Sequence, residues 1–120
     1  MTKKTLVLGA SENPIRYSNS AIKRLISLGF EVVAVGNKIG VVEGVTIYKD
    51  KIHFLNVDTI TIYLGANNQK EYYEYILLLK PKRVLFNPGA ENEELENILN
   101  KNNIDFERAC TLVLLGIGEY

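Results

Sequence analysis

The residues best suited to chemistry lie in one polar loop, Gly9 to Ser18, between an apolar run and an amphipathic segment. Gly9 and Ala10 are small, so a ligand can approach the backbone closely. Ser11 and Ser18 add hydroxyl donors, and Arg16 adds a guanidinium that can hold a phosphate with two hydrogen bonds. Ser18 or the asparagine after it is expected to cap the next helix, whose free N–H groups favour an anion. The loop predicts a phosphate cradle, and an ordinary turn with a surface arginine is the alternative.

The second loop helps to exclude some ligands. The second apolar run ends in "VAVGNK", so Asn37 and Lys38 stand where a dinucleotide site carries an Asp or Glu for a ribose diol. Neither Gly-x-Gly-x-x-Gly nor the Lys-containing phosphate loop of nucleotide triphosphatases is present. Lys38 suits a phosphate, or else it is a solvated loop lysine.

The third loop is small in its side chains. Leu64, Gly65 and Ala66 follow the third apolar run and leave room for a flat ring or a chain against the backbone. Asn67 is expected to cap the helix that follows.

The fourth loop, "FNPGAENEEL", is a turn followed by several carboxylates. Glu91 and Asn92 are expected to begin a helix, and the nearby glutamates are explained as partners of its positive end. A general acid–base pair is the alternative.

The usual catalytic and metal-binding sets are absent. The chain has one histidine and one cysteine. His53 has no Ser or Cys partner at a recognisable spacing and is expected to be structural or exposed, and Cys110 is expected in the core. One His and one Cys are too few for a typical zinc site. We therefore assign no catalytic residue and no metal ligand, and a protein that is not an enzyme is the favoured interpretation.

The elements that must position these loops follow from the apolar runs. Continuous runs are typical of strands buried on both faces. Five strands are predicted, at Leu6–Leu8, Val32–Val35, Ile60–Leu64, Val84–Phe86 and Ile104–Phe106. Helical spacing lies between them, and alternation of this kind indicates a parallel sheet. We predict an α/β, Rossmann-like doubly wound sheet of about five strands in three layers, α/β/α, with the first strand central and the ligand crevice beyond the carboxyl ends.

Two segments are less clear. The middle of the chain is predicted to hold an extended piece at Val45–Tyr48 and one helical turn near Lys51–Leu55. The tail "ACTLVLLGIGEY" fits a sixth strand or a helix, and we favour the helix.

Composition bounds the class of protein. The chain has 120 residues, 47% of them apolar and 23% charged, which predicts one globular domain over residues 1–120. The 14 basic and 14 acidic residues cancel, which argues against a nucleic-acid partner. A single cysteine and an N-terminal apolar run too short for a signal or membrane span favour the cytoplasm and no membrane partner.

Two motifs together carry a resemblance. "GASENPIRYSNSAIKRLISLGFEVVAVGNK" resembles the opening of the small bacterial CoA-binding domain proteins, which are similar to the CoA-binding domain of the succinyl-CoA synthetase alpha subunit. "VLFNPGAENEEL" resembles that family's late strand and turn. The match runs from about Thr5 to Cys110. Many members read "PVNP" where this chain has "AVGNK", and many end in "Cys-Pro", which this chain lacks.

The resemblance implies that the protein binds a small molecule, coenzyme A or an acyl-CoA, non-covalently. By position, it implies that the diphosphate or pantetheine contacts Ser11, Pro14, Arg16 and Ser18. It implies that the adenosine or its phosphate contacts Asn37 and Lys38. The adenine or the chain would lie beside Leu64, Gly65 and Ala66. Two alternatives stay open: a small enzyme acting on an acyl-CoA or nicotinamide cofactor, and a ligand-free regulatory module. The apolar tail Leu112–Ile117 is the candidate surface for the latter, and a homodimer is one option for it.

Overall fold

A computed structural model describes residues 3–120 as a seven-stranded sheet covered by helices on both faces. The strands are β1 (Lys4–Leu8), β2 (Glu31–Val35), β3 (Gly40–Val42), β4 (Val45–Tyr48), β5 (Thr59–Ile62), β6 (Arg83–Phe86) and β7 (Asp105–Arg108). The helices are α1 (Tyr17–Ser27), α2 (Ala66–Gln69), α3 (Tyr73–Leu79), α4 (Glu93–Lys101) and α5 (Thr111–Gly116), with a short 3₁₀ turn at Lys70–Tyr72 between α2 and α3.

The strand order is β3-β4-β2-β1-β5-β6-β7, so β1 is central as predicted. β1 pairs in parallel with β2 on one side and β5 on the other, and Leu8 lies opposite Val35 and Ile62. Every pairing is parallel except that of β3 with β4. The carboxyl ends of the central strands therefore meet at one edge of the sheet, and the loops that follow them must converge there.

Two clusters of buried apolar side chains lie between the three layers, one on each face of the sheet. One face of the sheet packs on α3 and α4 through side chains that include Tyr75, Ile76 and Leu95. The other packs on α1 and α5 through Ile22 and Leu115, among others. Because both faces of the central strands are covered, runs such as Leu6–Leu8 in β1 and Val84–Phe86 in β6 are buried and apolar, and this confirms the predicted three-layer α/β fold.

Several local expectations need correction. The sheet has seven strands rather than about five, because the predicted extended piece forms β4 and the hairpin partner β3 was not foreseen. No helical turn forms at Lys51–Leu55. The tail forms the favoured helix, α5. Cys110 is half-buried at the start of that helix rather than in the core.

Candidate functional site

A cleft of about 460 Å³ opens at the carboxyl edge of the sheet. Residues from the loops after β1, β2, β5 and β6 line it, namely Gly9, Ala10, Ser11, Arg16, Tyr17, Ser18, Asn37, Tyr63, Leu64, Gly65, Asn68, Pro88, Gly89 and Ala90. Its position, beyond β1 and between the loops on either side of it, is where doubly wound sheets bind their ligands.

Glycines let the first two loops approach closely. Gly9 adopts a left-handed φ of +93°, and the N–H groups of Gly9 and Ala10 both donate to the Val35 carbonyl, at 2.9 and 3.0 Å. A Cβ atom at Gly36 would lie only 2.3 Å from the Ala10 carbonyl oxygen. The absence of a side chain at Gly36 is therefore what allows the backbone of the first loop to rest on the second.

The start of α1 differs from the sequence expectation. Arg16, not Ser18 or Asn19, occupies the N-cap position, and it makes no side-chain capping bond. Ser18 and Asn19 lie inside the first turn and are buried. The Asn19 amide donates to the Ser11 carbonyl (3.0 Å), which holds the first loop against the helix. The helix has no acidic residue in its first turn, so the positive end of its dipole faces the cleft without a carboxylate partner.

Lys38 does not line the main cleft. It lines an adjoining pocket of about 240 Å³, which shares Ala10, Ser11 and Asn37 with the cleft. In this pocket the Glu12 carboxylate accepts a hydrogen bond from the Val41 N–H (2.9 Å), so the first loop is also tied to β3.

The third loop forms one wall of the cleft. Gly65, rather than Asn67, is the N-cap of α2, and Asn67 is inside the helix without a capping bond. A second adjoining pocket of about 350 Å³ is lined partly by Asn67, Lys70 and Tyr72 and opens beside Leu64.

The predicted site residues thus divide into three groups. Eight of the eleven line the main cleft: Gly9, Ala10, Ser11, Arg16, Ser18, Asn37, Leu64 and Gly65. Lys38 lines the adjoining pocket. Pro14 and Ala66 line neither pocket; Pro14 is exposed on the outer part of its loop, and Ala66 is the first residue of α2.

Sequence reasoning missed the opposite wall, Pro88, Gly89 and Ala90. The sequence predicts a turn and a helix start in the fourth loop, with an acid–base pair as the alternative, and it predicts no ligand contact there. The loop's position directly after a strand beside β5 was the signal that could have identified it.

Tyr63 was also missed, and it forms part of the cleft lining. Its phenolic oxygen is buried and has no hydrogen-bond partner among the described residues. The nearby hydroxyls of Thr61 and Thr111 bond to each other (2.8 Å), and Asn87 donates to Thr61 (2.6 Å). Burial raises the pKa of Tyr63 to about 12, so its hydroxyl stays protonated at neutral pH.

The carboxylates near the fourth loop have structural partners. Glu91 accepts from the Gly89 N–H (2.9 Å), and Glu94 accepts from the Tyr73 hydroxyl (2.9 Å). Glu96 holds the guanidinium of Arg108 with two hydrogen bonds, at 2.7 and 2.9 Å. Asn92, as the N-cap of α4, accepts from the Leu95 N–H, so the helix begins at Glu93. These contacts give Glu91, Glu94 and Glu96 structural partners.

Other candidate groups stay outside the cleft. His53 is exposed. Within residues 3–120, no three His, Cys, Asp or Glu side chains come together as metal ligands. None of the described helices has the length and apolar character needed to cross a membrane.

A mostly parallel sheet with a cleft at its carboxyl edge defines a Rossmann-like ligand-binding domain. A family model described as "CoA binding domain" matches residues 3–116. The chain therefore belongs to the CoA-binding domain family, which confirms the resemblance seen in the sequence. A comparison with curated protein sequences finds no match.

Solved structures share the fold. A crystal structure of an uncharacterized protein is 50% identical, with a TM-score of 0.97 over 100% of this chain and 99% of that one. A conserved hypothetical protein from Pyrococcus furiosus is 29% identical, with a TM-score of 0.79 over 92% of this chain and 97% of that one. The dinucleotide forming acetyl-coenzyme A synthetase 1 of Ca. Korarchaeum cryptofilum is 18% identical, with a TM-score of 0.72 over 88% of this chain and 25% of that one, which is a likeness of fold alone.

Proposed function

We propose that this chain acts as a single domain that binds coenzyme A or an acyl-CoA non-covalently in the cleft. The observation that carries the proposal is the convergence of the first loop, the start of α1 and the two wall loops on one cleft, in a chain of the CoA-binding domain family. The proposed compartment is the cytoplasm, in agreement with the single cysteine of the sequence.

The diphosphate of the ligand binds at the start of α1. The first-turn N–H groups and the helix dipole favour an anion there, and Arg16, at the N-cap, brings a guanidinium to the same cleft. Ser11 and Ser18 also line the cleft and can donate through their hydroxyls. These groups hold charge by position and require no bond to be made or broken.

The remainder of the ligand extends along the cleft. Leu64, Gly65 and the facing wall of Pro88 and Gly89 offer small and apolar surface for the adenine or the pantetheine chain. Lys38, in the adjoining pocket, is the proposed partner of the ligand's 3′-phosphate. Both adjoining pockets share Asn37 with the cleft, which supports a ligand longer than the cleft itself.

Calorimetric titration with CoA, 3′-dephospho-CoA, NAD and ATP tests the proposal. We expect selective binding of CoA and a lower affinity for the dephospho form. Binding of NAD in preference to CoA, or turnover of an acyl-CoA, would support the enzyme alternative. No binding to any of the four compounds would refute the proposal and favour an interaction module, whose oligomeric state light scattering would measure.

The Arg16→Ala variant tests the diphosphate site directly. Because a hydrogen bond to a charged group contributes about 1.5–3 kcal/mol, we expect the CoA affinity to fall by roughly 10- to 150-fold. Arg24→Ala is the matched control, since Arg24 is an exposed arginine in the last turn of the same helix. Equal CoA affinities for the two folded variants would contradict the role of Arg16.

A further inference from the structure

The two walls of the cleft are joined by one buried side chain, Gln69. We propose that Gln69 is a positioning residue that fixes the separation of these walls. Its effect on the ligand rests on the proposed CoA binding, whereas its effect on the walls does not. Gln69 is the last residue of α2, and it is completely buried (0% exposed) although it is polar. A buried polar side chain is costly unless its hydrogen bonds are made, so its partners show what it holds.

The Gln69 amide nitrogen bonds to both walls. It donates to the Leu64 carbonyl at 2.8 Å and to the Ala90 carbonyl at 2.7 Å. Leu64 follows β5 and Ala90 lies in the loop after β6, and both line the cleft. Both N–H bonds of one planar amide are therefore used to fix two backbone segments from different loops.

A second amide completes the network. The Gln69 amide oxygen accepts from Asn92 (2.9 Å), whose nitrogen also donates to the Tyr73 hydroxyl (2.8 Å). The Asn92 oxygen accepts from the Leu95 N–H and caps α4. Every donor of both amides is used, and a buried network that is fully satisfied in this way is rigid. The separation of the walls is thus tied to α4 as well as to α2.

A second connection lies deeper, at the sheet. Asn87 donates to the Ile62 carbonyl at 2.9 Å, so the ends of β5 and β6 stay joined without Gln69. The loss of Gln69 should therefore loosen the outer parts of the walls and leave the strands in place. This local effect distinguishes a positioning residue from a residue that only stabilises the fold.

The test uses Gln69→Leu in the full chain. Leucine fills similar volume but leaves the Leu64 and Ala90 carbonyls without their donor. Ile76→Ala is the control, because Ile76 is a buried residue of α3 outside the cleft lining and its truncation weakens the core. Denaturant is adjusted so that both variants have the same global stability.

Amide hydrogen exchange is read at Asn68 and Ala90, whose N–H groups bond within the two walls, to Gly65 and Asn87. We expect at least about tenfold faster exchange at these amides in Gln69→Leu than in the control, with unchanged exchange in β5 and β6. The CoA affinity should fall by about tenfold in Gln69→Leu and stay at the wild-type value in the control.

Equal exchange in the two variants would overturn the proposal, whereas faster exchange with an unchanged CoA affinity would overturn only the effect of Gln69 on the ligand. If the wild-type protein fails to bind CoA, the proposed function is refuted, and the exchange rates alone then decide the role of Gln69. If Gln69→Leu does not fold, Asn92→Asp replaces it. That variant keeps an oxygen to cap α4 and removes the donor to Gln69, and the same amides report the result.

Discussion

Replacing Gly36 by alanine tests whether the contact between the first two loops sets the shape of the cleft. The new Cβ atom would stand 2.3 Å from the Ala10 carbonyl oxygen and 3.2 Å from a methyl group of Ile47. Ala10 cannot move freely, because its N–H donates to the Val35 carbonyl (3.0 Å) and the residue is buried. To relieve the contact the two loops must separate by roughly 1 Å, and overpacking of this kind costs about 1–3 kcal/mol.

The assay is urea unfolding followed by circular dichroism, with Gly65→Ala as the control. Gly65 lines the same cleft, but a Cβ atom there meets nothing within 4 Å, so we expect its free energy of unfolding to change by less than about 0.5 kcal/mol. In Gly36→Ala we expect the full loss of about 1–3 kcal/mol. The reasoning is refuted if the two variants unfold at the same urea concentration with the same slope.

The remaining predictions concern Tyr63, Tyr75 and Thr111. Burial raises the pKa values of Tyr63 and Tyr75 from 10.0 to about 12, so the unfolded chain loses these protons at a lower pH than the folded chain. The free energy of unfolding, measured by denaturant titration, should therefore be level below pH 10 and fall between pH 10 and 12. Tyr63→Phe removes a buried oxygen that has no hydrogen-bond partner among the described residues. The variant should therefore be at least as stable as the wild type at pH 7 and should lose less stability above pH 10. A large loss of stability at pH 7 would show that the hydroxyl is hydrogen-bonded. Thr111→Val breaks the buried bond to Thr61 and should lower the free energy of unfolding by about 1–3 kcal/mol, whereas Thr111→Ser, which keeps the hydroxyl, should lose less when both are measured in urea.

The sequence was sufficient to predict the sheet where the strands are buried on both faces. β1, β5 and β6 are continuous apolar or β-branched runs that no other element explains as well. β3 lacks that signal. It has three residues, one of them buried, and it is held by its hairpin with β4 and by the Glu12 carboxylate, contacts that depend on the folded chain.

The error at Lys51–Leu55 has a tertiary cause. A helical turn would need the carbonyls of this segment for its own N–H groups. In the folded chain the Ile52 carbonyl accepts from the Tyr75 hydroxyl, and the Leu55 carbonyl accepts from the Lys4 side chain at 2.9 Å. Two distant side chains thus bond to this segment, while the N–H groups of Ile52 and Phe54 bond to carbonyls only two residues earlier, at Asp50 and Ile52. No short-range pattern in the sequence encodes the two distant contacts.

The site shows a similar division. Its location followed from strand order, because loops after adjacent parallel strands must meet. Strand order does not predict which residues of a loop line the cleft. Pro14 and Ala66, which the sequence places in the site, line neither the cleft nor the pocket beside Lys38. The predicted cap of α1 was wrong for a related reason. Ser18 and Asn19 are buried in the first turn, and the Asn19 amide donates to the Ser11 carbonyl and does not cap the helix.

The polar groups around the cleft fit the proposed binding of an anionic ligand. The nearby carboxylates of Glu91 and Glu94 are occupied by the Gly89 N–H and the Tyr73 hydroxyl. Tyr63 is protonated at neutral pH, as a tyrosine of ordinary pKa also is, and burial raises its pKa further, to about 12. What the cleft offers in its first loop and at the start of α1 is a guanidinium, hydroxyls and helix N–H groups, which bind an anion and do not remove protons.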